Sequence, residues 1–342
     1  MKRSAKNLIF LSLLILVTVL ILFKSNQKAS QYQSIDGLIF GTVYHITYQS
    51  QDELKSTIDS LLKEFNHSLS PFDSTSIIAK INKNEEVELD DYFITVFNRS
   101  EEISDLTEGA FDITVSPFVN AWGFGFKKEQ FPDSATIDSL LQFTGYKKVK
   151  LLNNKKIVKE DSRITLNASA IAKGYAVDVI AHFFEMRGIK NYMVEIGGEI
   201  VAKGLNAKGD KWRIGINRPR EDSIASKSEL QLILELSNHA IATSGNYRNY
   251  YYRDGIRYAH TIDPRTGYPV QHEILSTTIL APDCMTADAI ATSCMVIGLE
   301  ESKKLLDSLD DVEGYFIYQD ANNEIAEYFT EGMKDFAFQK EK

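Results

Sequence analysis

The sequence predicts an α+β fold, a single compact domain of hairpin-rich sheets with packed helices, preceded by an N-terminal membrane anchor. Three observations carry that expectation. Segments of strand character come in pairs about glycine-bearing turns, at residues 191–204 and again where two Tyr-dense runs flank Arg253-Asp254-Gly255. Apolar residues at helical spacing fall in blocks of their own instead of alternating with every strand, which disfavours a doubly wound parallel sheet. No period of about 20–50 residues recurs, which rules against a solenoid or a propeller.

Composition narrows the class further. The chain has 342 residues, 44% of them hydrophobic, enough for a sizeable core. A formal net charge of -9, with no Lys/Arg block, argues against nucleic acid as a partner, so an anionic ligand must be held locally by a metal or a helix N-terminus. The two cysteines, Cys284 and Cys294, are ten residues apart. On one helix that is about 15 Å of rise, beyond disulfide reach, so both read as small buried apolar side chains.

With no disulfide framework, the compartment is read from the N-terminus. Residues 1–7 carry Lys2, Arg3 and Lys6, and residues 8–23 are apolar apart from Ser12 and Thr18. No small-residue cleavage site follows Phe23, and no cysteine is there to accept lipid. The expectation is an uncleaved signal anchor with its basic end in the cytoplasm, a polar linker over residues 24–35, and a folded domain over residues 36–338 on the other side.

Along that domain the elements read in order. A strand entered through Gly41 runs over 41–48, and Leu54, Ile58, Leu61, Leu62 and Phe65 predict a helix over 52–66. Turn chemistry and a short helix occupy 68–82, and a second amphipathic helix over 91–106 stops at Gly109. Glycines interleaved with aromatics over 109–125 suit a loop that a planar ligand approaches, and equally suit ordinary core and turn material. A strand is expected to end at 164–166, followed by a helix to about residue 187 with Lys173 in its first turn. Then come the hairpin turning at Gly197-Gly198, a strand over 212–217, a polar surface loop over 221–228 and a strand over 239–243. After the Tyr-rich hairpin, Asp263-Pro264 opens a turn in which Gly267 takes the left-handed conformation. A strand over 274–281 leads to a helix capped by Thr286 and ended by Gly298, then a helix over 300–309, a strand over 314–318 and a closing segment.

Three constellations can carry chemistry. Asp288 and Thr292 lie at i and i+4, one helical face, and offer hard oxygen ligands. They also suit a plain helix acid and helix hydroxyl, and spacing alone leaves both open. His260 stands at the end of an aromatic strand, three residues before Asp263, and can be a catalytic group or a core histidine. Lys173 sits among small residues at a helix start, where an anion would be favoured, although no Walker pattern is present. The six histidines show no paired zinc spacing, and no G-x-S-x-G elbow supports a serine triad.

Taken together, the residues carry a resemblance that none carries alone. Phe40-Gly41-Thr42, Gly109-Ala110-Phe111-Asp112, Trp122-Gly123-Phe124-Gly125, the run Ala172-Lys173-Gly174-Tyr175-Ala176-Val177-Asp178, Ile196-Gly197-Gly198-Glu199, Thr243-Ser244-Gly245, the run from His260 to Pro269 and Ala287-Asp288-Ala289-Ile290-Ala291-Thr292 occur in that order. The sequence so resembles the FAD:protein FMN transferases, the ApbE family, over roughly residues 36–336. The resemblance implies two intertwined subdomains and an enzyme of the bacterial inner membrane with its catalytic domain outside the cytoplasm. It implies that FAD is split at its pyrophosphate, that FMN passes to a Thr or Ser hydroxyl of a partner protein, usually a subunit of a membrane electron-transport complex, and that AMP leaves, with Mg²⁺ required. By position, the Ala170 carbonyl, Asp288 and Thr292 would hold the metal. FAD would lie against Phe40, Phe72, Ala110, Phe111, Asp112, Asn167, Lys173 and Thr261, with His260 beside the reacting phosphate. The family usually has Met at Phe40, Tyr at Phe72 and Asp at Asn167; the first two changes keep a bulky wall, and the third keeps hydrogen bonding without the charge. A Mg²⁺-dependent FAD pyrophosphatase and a flavin-binding carrier would use the same residues.

Overall fold

The computed structural model describes residues 31–125, 131–219, 230–246, 250–253, 256–322 and 324–338. The expected anchor and the polar loop over 221–228 lie outside the described residues. Among the described residues no helix is long and apolar enough to cross a membrane.

The chain opens with a hairpin, β1 (Tyr32–Ile39) and β2 (Thr42–Gln49), joined by Phe40 and Gly41 alone. Both turn residues have positive φ, 53° and 75°, as a two-residue hairpin turn with the sheet's twist demands. Helices α1 (Lys55–Leu69), α2 (Ile77–Asn82), α3 (Asp91–Leu106), α4 (Ser116–Ala121) and α5 (Ser134–Leu141) follow, then a small ribbon of β3 (Val149–Leu152) and β4 (Lys156–Lys159). Helix α6 (Ala172–Met186) leads into the hairpin β5 (Tyr192–Ile196) and β6 (Glu199–Lys203), and β7 (Trp212–Asn217) pairs with β8 (Leu230–Leu236). After β9 (His239–Gly245) come the ribbons β10 (Tyr250–Arg253) with β11 (Ile256–Ala259), and β12 (Ile262–Asp263) with β13 (Tyr268–Pro269). The chain closes through β14 (Ile274–Ala281), α7 (Cys284–Ile297), α8 (Leu299–Asp307), β15 (Glu313–Gln319) and β16 (Ile325–Phe329).

Eight of these strands form one sheet in the order β1-β2-β5-β6-β9-β14-β15-β16, antiparallel at every pairing. Because successive side chains point to opposite faces, the central strands feed two cores at once. Ala240, Ala242, Ile279, Ala281 and Phe316 enter the helix-covered core, while Ile241, Leu280, Tyr315 and Ile317 enter a second core beneath the β7–β8 ribbon. Burial on both faces explains why β14 reads as a continuous apolar and small-residue run without alternation. A third, smaller cluster of Phe118, Trp122, Ile137 and Ile262 sits under the turn that follows His260.

The α+β class is therefore observed, and several boundaries differ from expectation. The sheet begins at Tyr32, inside the stretch expected to be linker: its ring packs edge-on against Trp212 and Ser34 hydrogen-bonds across to Thr47, so cross-strand pairing outweighs polar composition. Residues 164–166 form no strand; the Asn82 side chain donates to Leu166 O and accepts from Leu166 N, in the place of a neighbouring strand. The cap of α7 is Asp283, not Thr286; Asp283 accepts from both the N–H and the hydroxyl of Thr286. Helix α4, inside the stretch expected to be a loop, helix α5, the β3–β4 ribbon and β8 were not expected. The predicted Gly197-Gly198 and Gly267 turns and the Gly298 stop are present, all with positive φ. Cys284 and Cys294 are both unpaired and buried.

Candidate active site

Two helices and the end of a ribbon converge on one cleft. Helices α6 and α7 cross so closely that a Cβ on Gly174 would lie 2.2 Å from the Cys284 carbonyl oxygen and 2.8 Å from Asp288 Cβ. That approach lets the Gly174 N–H donate to Asp288 Oδ2 at 3.0 Å. One turn further along α6, the Asp178 carboxylate accepts from the N–H groups of Cys284 and Met285, both at 2.8 Å. Helix α7 is thus held by α6 at two points, which fixes the side chains of its first turns. The Tyr-rich ribbon is anchored separately: Trp122 stacks on Tyr258 and donates from Nε1 to Gly267 O at 2.8 Å. Asp263 folds back onto Arg265 within the same turn, so its carboxylate is spent on turn structure.

The cleft has a volume of about 410 Å³, and ten of the twelve predicted residues line it: Ala110, Phe111 and Asp112 on one wall, Asn167, Ala170 and Lys173 at the start of α6, His260 and Thr261 from the ribbon, and Asp288 and Thr292 from α7. Phe40 and Phe72 line an adjoining pocket of about 120 Å³ that shares Ser169 and Lys173 with the cleft. Phe40 packs on Phe65, whereas Phe72 is 78% exposed.

Some of these side chains are already engaged. Asp112 is buried and accepts at 2.7 Å from both the N–H and the hydroxyl of Thr114, and from Tyr146 N at 2.8 Å. Burial pushes its pKa up, against the pull of those bonds. It ties the 110–112 loop to the β3–β4 region and presents backbone rather than charge. Asn167 Oδ1 accepts from the N–H and hydroxyl of Ser169, a side-chain turn that sets up the entry to α6. Thr261 donates to Asn246 Oδ1 at 2.5 Å, and Thr292 and Ser244 hydroxyls approach to 3.3 Å. The His260 ring meets Phe124 edge-on at 6.4 Å.

The electrostatic centre is a triad of charges, one member of which sequence reasoning passed over. Lys173 pairs with Glu199, a buried residue at the first position of β6. Burial opposes the Lys173 charge, but the carboxylates of Asp288 and Glu199 outweigh it and hold its pKa above the ordinary value. Glu199 is pushed up to about 7, by burial first and by the Asp288 charge second, with Lys173 opposing. Asp288 is raised in the same direction by burial, opposed by Lys173 and by the Gly174 N–H. The Ile196-Gly197-Gly198-Glu199 motif by itself implies no role for Glu199; the signal in the sequence is an acidic residue heading the otherwise apolar run Ile200-Val201-Ala202.

The donor set suits a hard cation. Asp288 Oδ1 receives no hydrogen bond among the described residues, and Thr292 lies one turn further along the same face. Among the described residues no group of three or more His, Cys, Asp and Glu gathers to hold a metal. An ion here would rest on few protein oxygens and complete its shell with water and ligand phosphate, the habit of Mg²⁺.

The chain is similar to known proteins along most of its length. A model of the ApbE family matches residues 40–316. The FAD:protein FMN transferase of Vibrio cholerae is 39% identical over 300 residues, covering 84% of this chain and 88% of that protein. Its counterpart in Haemophilus influenzae is 36% identical over 292 residues, covering 81% and 84%. Among solved structures, the flavin transferase ApbE from Vibrio cholerae matches with a TM-score of 0.80 at 36% identity, over 90% of this chain and 99% of that one. The apo flavinyl transferase ApbE of Pseudomonas stutzeri matches with a TM-score of 0.80 at 28% identity, over 90% and 96%.

Proposed function

This chain belongs to the ApbE family and is a transferase, and on that premise we propose that it cleaves FAD at the pyrophosphate and moves FMN onto a Thr or Ser hydroxyl of a partner protein. In atom terms, the acceptor oxygen forms a bond to the phosphorus on the flavin side, the bond from that phosphorus to the bridging oxygen breaks, and AMP leaves with the bridging oxygen. The acceptor proton goes to a base.

The observation that supports this reading is the meeting of a cationic Lys173, the start of α6 and a buried carboxylate with an open oxygen in one cleft, beside an aromatic pocket of a size to take part of a flavin. Phosphoryl transfer needs charge neutralisation and in-line positioning more than covalent help from the protein. Lys173 and the positive end of the α6 dipole hold the diphosphate. Phe40 and Phe72 flank the ring system, and the 110–112 backbone closes the opposite wall. His260 takes the acceptor proton or donates to the leaving phosphate. Asp288, Thr292 and the Ala170 carbonyl would hold Mg²⁺, which would supply neutralisation of the charge developing on the phosphates.

For the anchor and compartment we propose that residues 8–23 hold the chain in the inner membrane with the catalytic domain outside the cytoplasm, where the acceptor is a membrane electron-transport subunit. The test of the reaction is incubation of the full chain with FAD and Mg²⁺, with and without such an acceptor. AMP with flavin bound covalently to protein is the expected result. AMP with only FMN in solution would make the protein a pyrophosphatase, and intact FAD would make it a carrier; either outcome overturns the transferase reading.

A further inference from the structure

Glu199 lines the cleft with its side chain 4% exposed, and one of its oxygens, Oε2, is buried without a hydrogen-bond partner among the described residues. Such an atom carries a desolvation cost, and here it is borne on the carboxylate that faces the Lys173 ammonium. The other oxygen pairs with Lys173. The turn that delivers Glu199 is tightly set: Gly197 has φ 67°, and a Cβ there would lie 2.9 Å from Thr42 Cγ2 and 3.5 Å from Glu199 Oε2. Lys173 feels two carboxylates, those of Asp288 and Glu199, yet among the described residues its ion pair is with Glu199 alone.

We propose that Glu199 is a positioning residue that holds the Lys173 ammonium off Asp288, leaving the Asp288 carboxylate open to a divalent cation and the ammonium turned to the anionic substrate. The inference rests on the metal site of the reading above and adds to it a residue that touches neither metal nor substrate. Its logic is one of competition. Lys173 and Asp288 come from helices in direct contact at Gly174, so a lysine released from Glu199 keeps Asp288 as the other carboxylate it already feels and would occupy it as a fixed counter-ion. Two carboxylates sharing one ammonium attract a divalent cation; one carboxylate paired to one ammonium does not.

The test measures Mn²⁺ binding to the full chain without FAD, from the paramagnetic resonance signal of unbound Mn²⁺, with Mg²⁺ as competitor. Glu199→Gln is expected to weaken Mn²⁺ binding by about tenfold or more, since an ammonium no longer held by Glu199 competes with the ion for the Asp288 carboxylate. Lys173→Gln is expected to bind Mn²⁺ at least as tightly as the parent, and the double variant to return to within about threefold of Lys173→Gln, the non-additivity expected of a shared network. Glu199→Asp, which keeps the charge on a shorter arm, should recover part of the loss. Parent-like binding in Glu199→Gln overturns the inference, as does a double variant no better than Glu199→Gln, which would make Glu199 a direct ligand or a packing residue. Should Glu199→Gln not fold, Lys173→Gln decides alone, and weaker binding than the parent overturns the inference. Because no turnover is needed, a parent that binds Mn²⁺ but leaves FAD intact would sink the proposed reaction and leave this inference standing. A parent that binds no Mn²⁺ would sink the metal site and this inference with it.

Discussion

Gly174→Ala sets helix propensity against packing, and the two predict opposite signs. In an exposed helix the change would stabilise by about 1 kcal/mol. Here the added Cβ would sit 2.2 Å from Cys284 O, 2.7 Å from Cys284 C and 2.8 Å from Asp288 Cβ. Two of those three atoms are backbone and cannot rotate away, so α6 and α7 must separate. Overpacking of a tight contact costs about 1–3 kcal/mol. Separation also stretches the 3.0 Å bond from Gly174 N to Asp288 Oδ2, a bond to a charged group worth about 1.5–3 kcal/mol. After the propensity gain is subtracted, a net destabilisation of about 1.5–5 kcal/mol remains. Urea unfolding followed by circular dichroism reads it as a lower midpoint at unchanged slope. Mn²⁺ binding should weaken in parallel, because the same contact orients Asp288. A variant with an equal or higher midpoint would refute the claim that these helices are held at a distance only glycine permits.

Four other outcomes are expected. Asp288→Ala should lower FMN transfer by about a hundredfold or more while FAD binding changes far less, because the metal acts chiefly on charge developing in the transition state; equilibrium flavin binding and turnover on one preparation check it, and a chelator should mimic it. His260→Ala should lower turnover by about 10²–10⁴-fold at an unchanged melting temperature; a destabilised variant with full turnover per folded molecule would return His260 to the core. Asp178, with an ordinary pKa of 3.8, is raised to about 7 in the fold, mainly by burial. Between those values the native state holds a proton the unfolded chain has lost, so stability falls as pH rises through that window; Glu101 and Glu199, also raised to about 7, add to the slope, Asp178→Asn should reduce it, and an unchanged slope would remove Asp178 as a contributor. A reporter active only outside the cytoplasm, fused after Lys342, should be active, and silence there would reverse the proposed orientation.

Local signals were legible wherever one residue type decides the backbone. The Gly197-Gly198 turn, the left-handed Gly267 after Asp263-Pro264 and the helix stop at Gly298 are read directly from the sequence, because few other residues adopt those angles. Helix α3 over Asp91–Leu106 and strand β7 over Trp212–Asn217 followed from period alone. The family resemblance also picked out ten residues that line the cleft, with Phe40 and Phe72 in the pocket beside it. Elements whose partners are remote in the chain were not legible: the pairing of Tyr32 to Ser34 with β2, or the Asn82 side chain serving as Leu166's strand neighbour across 84 positions. The role of Gly174 is of the same kind, since a glycine inside a helix reads as a weakness until the Cys284 carbonyl is found against it. So is Glu199, whose meaning lies in Lys173 and Asp288, side chains that three separate elements bring together. Backbone preference is a property of a few consecutive residues and travels with the sequence; burial, charge pairing and close approach depend on what the fold sets opposite, and only the tertiary structure decides them.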